Sequence, residues 1–151
     1  MSSLTRFVEA SGHDVFDVLS DGWLFPSWVV GASRIRDVGL DWPAVGARIH
    51  HSFGVWPAVI DDSTSILEWD PPRHAEFRAR GWPVGEARVV IDVRERRGGC
   101  LVRLTEDAVT GPGALVPRPI VDVPLGIRNR EALRRLAWLA EGRQRTVRPP
   151  T

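Results

Sequence analysis

The chain contains no lysine, no tyrosine, one cysteine (Cys100) and no methionine beyond Met1. Without lysine there is no Schiff-base chemistry on an amine, and without tyrosine no phenol to act as a general acid. One cysteine allows neither an internal disulfide nor a multi-cysteine metal site. No run of eighteen apolar residues occurs, so no membrane span is expected. The longest candidate, residues 114–127, is interrupted by Pro117, Arg118, Pro119, Asp122 and Pro124. The N-terminus lacks a basic stretch leading into an apolar core, so it does not read as a secretory signal. A cytoplasmic location is the default expectation. The formal net charge is only +1. No strong field drawing in nucleic acid or an anionic membrane is therefore expected, and neither is nucleic-acid binding or stable membrane insertion.

What is present is ordinary in bulk and unusual in detail. The 151 residues suit one domain, and 43% hydrophobic with 26% charged residues suits a globular fold. All twenty lysine-or-arginine positions are arginine, and the chain has seven tryptophans, a residue that fills a core or lines an aromatic cavity but needs a partner for its N–H.

The hydrophobic pattern gives an order of elements. Leu4–Ala10 reads as a strand. Ser11 with Asp14 reads as a helix start, leading into Gly12–Leu19. Gly22–Val30 is apolar but holds Pro26, which suggests a broken second helix or a loop. Strands follow at Ser33–Leu40 and Ala47–Phe53. After an interruption at Gly54 and Pro57 come separate strands at Ala58–Asp61 and Ser63–Asp70. Arg73–Arg80 alternates, with Glu76, Arg78 and Arg80 on the solvent side. Gly85–Arg96 and Cys100–Ala108 flank a hairpin turn at Arg97-Gly98-Gly99. Thr110–Pro119 reads as a loop. A terminal helix is expected from about Leu125 to Glu141, with Gly142 as its stop. Residues 143–151 are expected to form a flexible tail.

This is one antiparallel sheet with one apolar face, and the terminal helix is the only element long enough to cover it. Three stretches carry a resemblance: Gly46-Ala47-Arg48-Ile49, Leu67-Glu68-Trp69-Asp70-Pro71-Pro72-Arg73, and Arg128-Asn129-Arg130-Glu131-Ala132-Leu133. With the element order, they resemble the START-like (SRPBCC) superfamily over about residues 3–142. The nearest type is the small bacterial polyketide cyclase/dehydrase-like or lipid-transport-like member. The resemblance implies an α+β helix-grip fold in a single domain. One curved antiparallel sheet of six to seven strands would wrap a long C-terminal helix, with two short helices after the first strand. It also implies a cavity between sheet and helix for a hydrophobic or amphipathic small molecule.

Several residues are candidates for that cavity. Asn129 precedes Leu133 and Leu136 by four and seven residues, so it shares the covering face of the helix. It either anchors the helix start or orients a ligand. Glu106 shares a face with Leu104 and Val102; either the strand frays there, or the carboxylate pairs with an arginine, or, buried and unpaired, it would serve as a proton donor. His51 shares a face with Ile49 and Phe53, as a core residue or an acid–base group. Trp28, Phe53, Trp56 and Trp82 flank the sheet and either line the cavity or pack the core. His50 and His51 point to opposite faces, and no metal site or cofactor is expected. Three functions remain open: a ligand-binding protein, a cyclase/dehydratase-like enzyme using His51 or Glu106, and an interaction module without ligand.

Overall fold

The structure is a computed structural model describing residues 2–30, 32–55, 57–81, 85–111, 115 and 117–147. Strand β1 (Ser2–Val8) leads into helix α1 (Gly12–Ser20), a single 3-10 turn (Gly22–Leu24) and the short helix α2 (Phe25–Trp28). Six strands follow: β2 (Ala32–Val38), β3 (Arg48–Val55), β4 (Ala58–Asp70), β5 (His74–Gly81), β6 (Gly85–Arg96) and β7 (Gly99–Thr110). Helix α3 (Arg118–Val147) completes the fold. All seven strands form one antiparallel sheet in the order β1-β7-β6-β5-β4-β3-β2. This is the helix-grip α+β architecture, a curved sheet closed by a long terminal helix.

Local chemistry explains the elements. Ser11 and Asp14 form a reciprocal capping box: the Asp14 amide donates to Ser11 Oγ at 3.2 Å and the Ser11 amide to Asp14 Oδ2 at 3.1 Å. The free amide of Gly12 donates to Glu95 Oε1 at 2.7 Å, which pins α1 to the end of β6. A Cβ at Gly12 would sit 2.5 Å from that same oxygen. The β6–β7 hairpin turns through Gly98, whose φ of +81° favours glycine.

Period-2 alternation places one side of every strand inward. The inner face carries Ile49, Ile66, Ala75, Phe77, Ile91, Val93, Val102 and Leu104, all buried. Helix α3 contributes Leu133, Leu136, Ala137 and Ala140 to the same core. It packs on β1, β7, α1 and α2. Two attachments run it alongside β1. Arg128 meets Glu106, which pairs with Ser2, while Glu141 Oε1 accepts from the Glu9 amide at 3.2 Å. The thirteen helical steps from Arg128 to Glu141 rise about 20 Å, close to the roughly 23 Å of extended chain from Ser2 to Glu9.

Three expectations needed correction. Ala58–Asp61 and Ser63–Asp70 are one continuous thirteen-residue strand. The polar run Asp61-Asp62-Ser63 breaks the hydrophobic alternation but not the backbone ladder, since these residues pair with Ser52, His51 and His50. The terminal helix begins earlier and ends later than its apolar stripe, at Arg118 and Val147. Pro119 lies in the first turn, where a missing N–H costs nothing. Gly142 does not stop the helix and faces open space. Glu76, expected in solvent on the outer face, is buried there.

The sheet ends differently at its two edges. β1 pairs with β7 in unbroken register, whereas β2 pairs with β3 through two irregularities, at Ala32/Arg34 and Ile35/Asp37.

Candidate functional site

The inner face carries three polar side chains that the sequence pattern singled out, and all three are buried there. Asn129 is 3% exposed, Glu106 7% and His51 0%. The alternation that put Glu106 beside Leu104 and Val102 therefore holds in three dimensions, as does the helical spacing of Asn129 and Leu133.

Glu106 and Asn129 meet the first half of the buried length of α3. Both oxygens of the Glu106 carboxylate accept from Arg128 Nη2. The pair crosses layers, from sheet to helix. Arg128 stands next to Asn129 in sequence, and its own side chain is about a third exposed. A carboxylate engaged this way is a structural counter-charge and a tether for the helix. Arg128 itself is not legible in the sequence: the pattern allows Glu106 an arginine partner as one reading, but does not say which of twenty.

Asn129 is different. Its Nδ2 is buried and has no hydrogen-bond partner among the described residues. Leu133 lies one turn further along on the same buried side. Arg6, on the inward side of β1, also has a buried Nε without a partner. Both orphaned groups are N–H donors, so what this layer lacks is an acceptor.

His51 lies elsewhere on the inner face. Its strand is separated from β7 by β4, β5 and β6, or about 19 Å across four strand spacings. Its Nε2 is 2.8 Å from Thr64 Oγ1, and its ring stacks on Phe25 at 5.3 Å. Trp28 packs edge-on to Phe25 at 5.6 Å and is itself buried. Trp28 and His51 are thus joined through Phe25, a residue the sequence pattern did not single out. Burial pushes the His51 imidazole down to about 4; Asp62 opposes this, and Arg36 and His50 reinforce it. At neutral pH the ring is therefore uncharged. Glu106 and His51 have different partners and do not form a dyad in this arrangement.

The side chain of Phe53 and the residues Trp56 and Trp82 lie outside the described residues. Cys100 is fully buried, and burial raises its thiol to about 11, so it is a poor nucleophile.

A second polar cluster occupies the outer face. Glu68, His74 and Glu76 place ligand-type atoms within 4.8 Å of one another. These groups already have partners: Arg88 binds Glu76, and Asp92 Oδ1 lies 2.7 Å from His74 Nδ1. A cation would have to compete with Arg88, so the cluster is a salt-bridge network.

A family model described as polyketide cyclase/dehydrase and lipid transport matches residues 2–141. The chain belongs to that family. No curated protein matches the sequence. Among solved structures, this polyketide cyclase and lipid-transport family member resembles the di-domain ARO/CYC protein StfQ of the steffimycin biosynthetic pathway. That match has a TM-score of 0.75 at 13% identity and covers 94% of this chain and 50% of that one. It also resembles protein CV1439 from Chromobacterium violaceum, with a TM-score of 0.70 at 17% identity over 92% and 96% of the two chains. CalU16 from Micromonospora echinospora gives 0.63 at 15% identity over 96% and 78%. At such identities these likenesses speak to fold alone. Among the described residues no helix is long and apolar enough to cross a membrane.

Proposed function

We propose that the chain binds a hydrophobic or amphipathic small molecule of lipid or polyketide type between the inner face of the sheet and α3. The observation that carries this is the orphaned Nδ2 of Asn129, buried on the covering face of the helix. A buried donor without a partner costs about 1–3 kcal/mol. A carbonyl or hydroxyl oxygen on a ligand removes that cost, and the apolar residues around Leu133 receive the rest of the molecule. Pockets of this kind are mostly apolar with a few placed polar groups. The family description supports a ligand of this chemistry. In this reading Trp28, His51 and Leu133 belong to the wall, and Glu106 holds α3 in place through Arg128.

The test is native mass spectrometry of gently purified protein, with extraction of what co-purifies. The expected result is a bound small molecule bearing an oxygen acceptor. Asn129→Leu should weaken its binding about tenfold, the worth of one hydrogen bond. A protein that is empty as purified and shows no saturable binding of fatty-acid or polyketide-like probes would overturn the reading. Unaltered affinity in Asn129→Leu would remove the amide from it. A cyclase is recognised in the same experiment if a bound polyketide-like molecule is converted.

A further inference from the structure

The net charge of +1 conceals an uneven division. Helix α3 carries seven arginines against three acids, a net +4, while the rest of the chain carries thirteen arginines against sixteen acids, a net −3. The positive charge is gathered on an element that, like several loops and strands, exposes apolar side chains. Val123 is 65% exposed, Ile127 68% and Trp138 55%.

These features share one side of the helix. At 100° per residue, Val123, Ile127, Arg130, Arg134, Trp138 and Arg145 fall within an arc of about 80°. The buried residues Asn129, Leu133, Leu136 and Ala140 lie on the opposite side. The outward stripe is about 33 Å long. Within it, the Arg134 guanidinium sits 4.7 Å from the centre of the Trp138 ring. Beside Trp138 a shallow groove is lined by Leu139, Gly142, Arg143 and Thr146. Polar residues alone would suffice for a helix face in water. Exposed Val, Ile and Trp at turn spacing call for an apolar contact; Arg134 is already paired with Glu131 at 3.0 Å, and the interleaved Arg130 and Arg145 call for an anionic contact.

We infer that the outward face of α3 docks on an anionic lipid surface. A bilayer interface supplies both contacts at once: phosphates for the arginines, and a headgroup–acyl boundary for Val123, Ile127 and the amphipathic indole of Trp138. Nucleic acid would use the arginines but would leave Val123 and Ile127 without a role. The contact is peripheral and does not require a spanning helix. It would also place the sheet's inner face beneath α3 within about one helix diameter of the membrane, though the inference stands whether or not a ligand binds there.

The experiment is sedimentation of the full chain with vesicles of mixed phosphatidylcholine and phosphatidylglycerol, against vesicles of phosphatidylcholine alone. Binding is expected only to the mixed vesicles and should fall steeply with added salt. Arg130→Gln and Arg145→Gln should each lower the partition roughly fivefold. Trp138→Ser should lower it as well, with an unchanged circular dichroism spectrum. Absence of binding to mixed vesicles, equal binding to both kinds, or binding indifferent to all three substitutions would overturn the inference. So would displacement of the protein from mixed vesicles by DNA with retention of a DNA complex that needs Arg130 and Arg145 but not Trp138.

Discussion

The two faces of the sheet use the same residue types to opposite ends. Each holds a histidine and a buried glutamate paired with an arginine. On the inner face, His51 is packed against Phe25 and Thr64, and burial keeps it neutral. On the outer face, His74 lies against Asp92 and Glu68, which favour its charged form. The inner Glu106 reaches across layers to Arg128 on α3. The outer Glu76 stays within the sheet and is covered by Arg88 from the neighbouring strand. The difference teaches that residue identity does not set charge state here. The surrounding layer does, by what it removes from water and what it offers in return.

The largest test of that contrast is pH. His51 is held neutral in the fold down to about 4 but protonates near 6.5 when unfolded. Stability should be full above that range and fall as pH drops from about 6.5 to 4, by on the order of 3 kcal/mol. Urea denaturation across this window, with and without His51→Gln, measures it; an unchanged slope in the variant would break the assignment. Next comes Arg128→Met, which leaves Glu106 buried without its counter-charge. A loss of about 2 kcal/mol is expected, below the value for a fully buried pair because Arg128 is partly solvated. Arg88→Met should cost less: Glu76 is as buried as Glu106, but it keeps His74 at 3.9 Å as a second partner, and Arg88 is the more solvated arginine. The reverse ranking would show that the cross-layer pair is not the more demanding one.

Two smaller effects sharpen the picture. Asn129→Leu should raise the stability of ligand-free protein by about 1 kcal/mol, because it removes an unsatisfied donor. A fall in melting temperature would reveal a structural partner for the amide. The smallest effect belongs to His74. Its Asp92 hydrogen bond raises its protonation range, so the stability it adds is complete below about 6.5. That contribution is lost as pH rises through the raised folded value. Asp92→Asn should flatten this by only ~0.5 kcal/mol at so exposed a site. Imidazole titration by NMR should separate the two rings, one near 4 and the other above 6.5.

The sheet and the inward residues were legible because period-2 and helical spacing are read directly from sequence. Val102, Leu104 and Glu106 face inward as their alternation required, and Asn129 follows the stripe of Leu133 and Leu136. Ser11 and Asp14 form the cap their spacing implied. Partner choice was not legible. Nothing in the order of residues selects Arg128 for Glu106, or Arg88 to bury Glu76 on a face that reads as solvated. The merging of β4 was hidden because its middle is polar, with Ser52 donating to Asp61 at 2.6 Å across the ladder. The helix end was misplaced because a glycine in open space, like Gly142, neither needs nor forces a turn.

The unequal edges of the sheet bear on how copies of this protein behave when crowded. An exposed edge is a template only if its amides and carbonyls keep an even spacing. The two irregularities in β2 destroy that spacing, and Arg34, Arg36 and Asp37 add charge along it. β1 keeps its spacing from Ser2 to Val8. Any ribbon-like growth from one molecule to the next therefore has a single open end, and growth that needs two compatible ends stops at a pair.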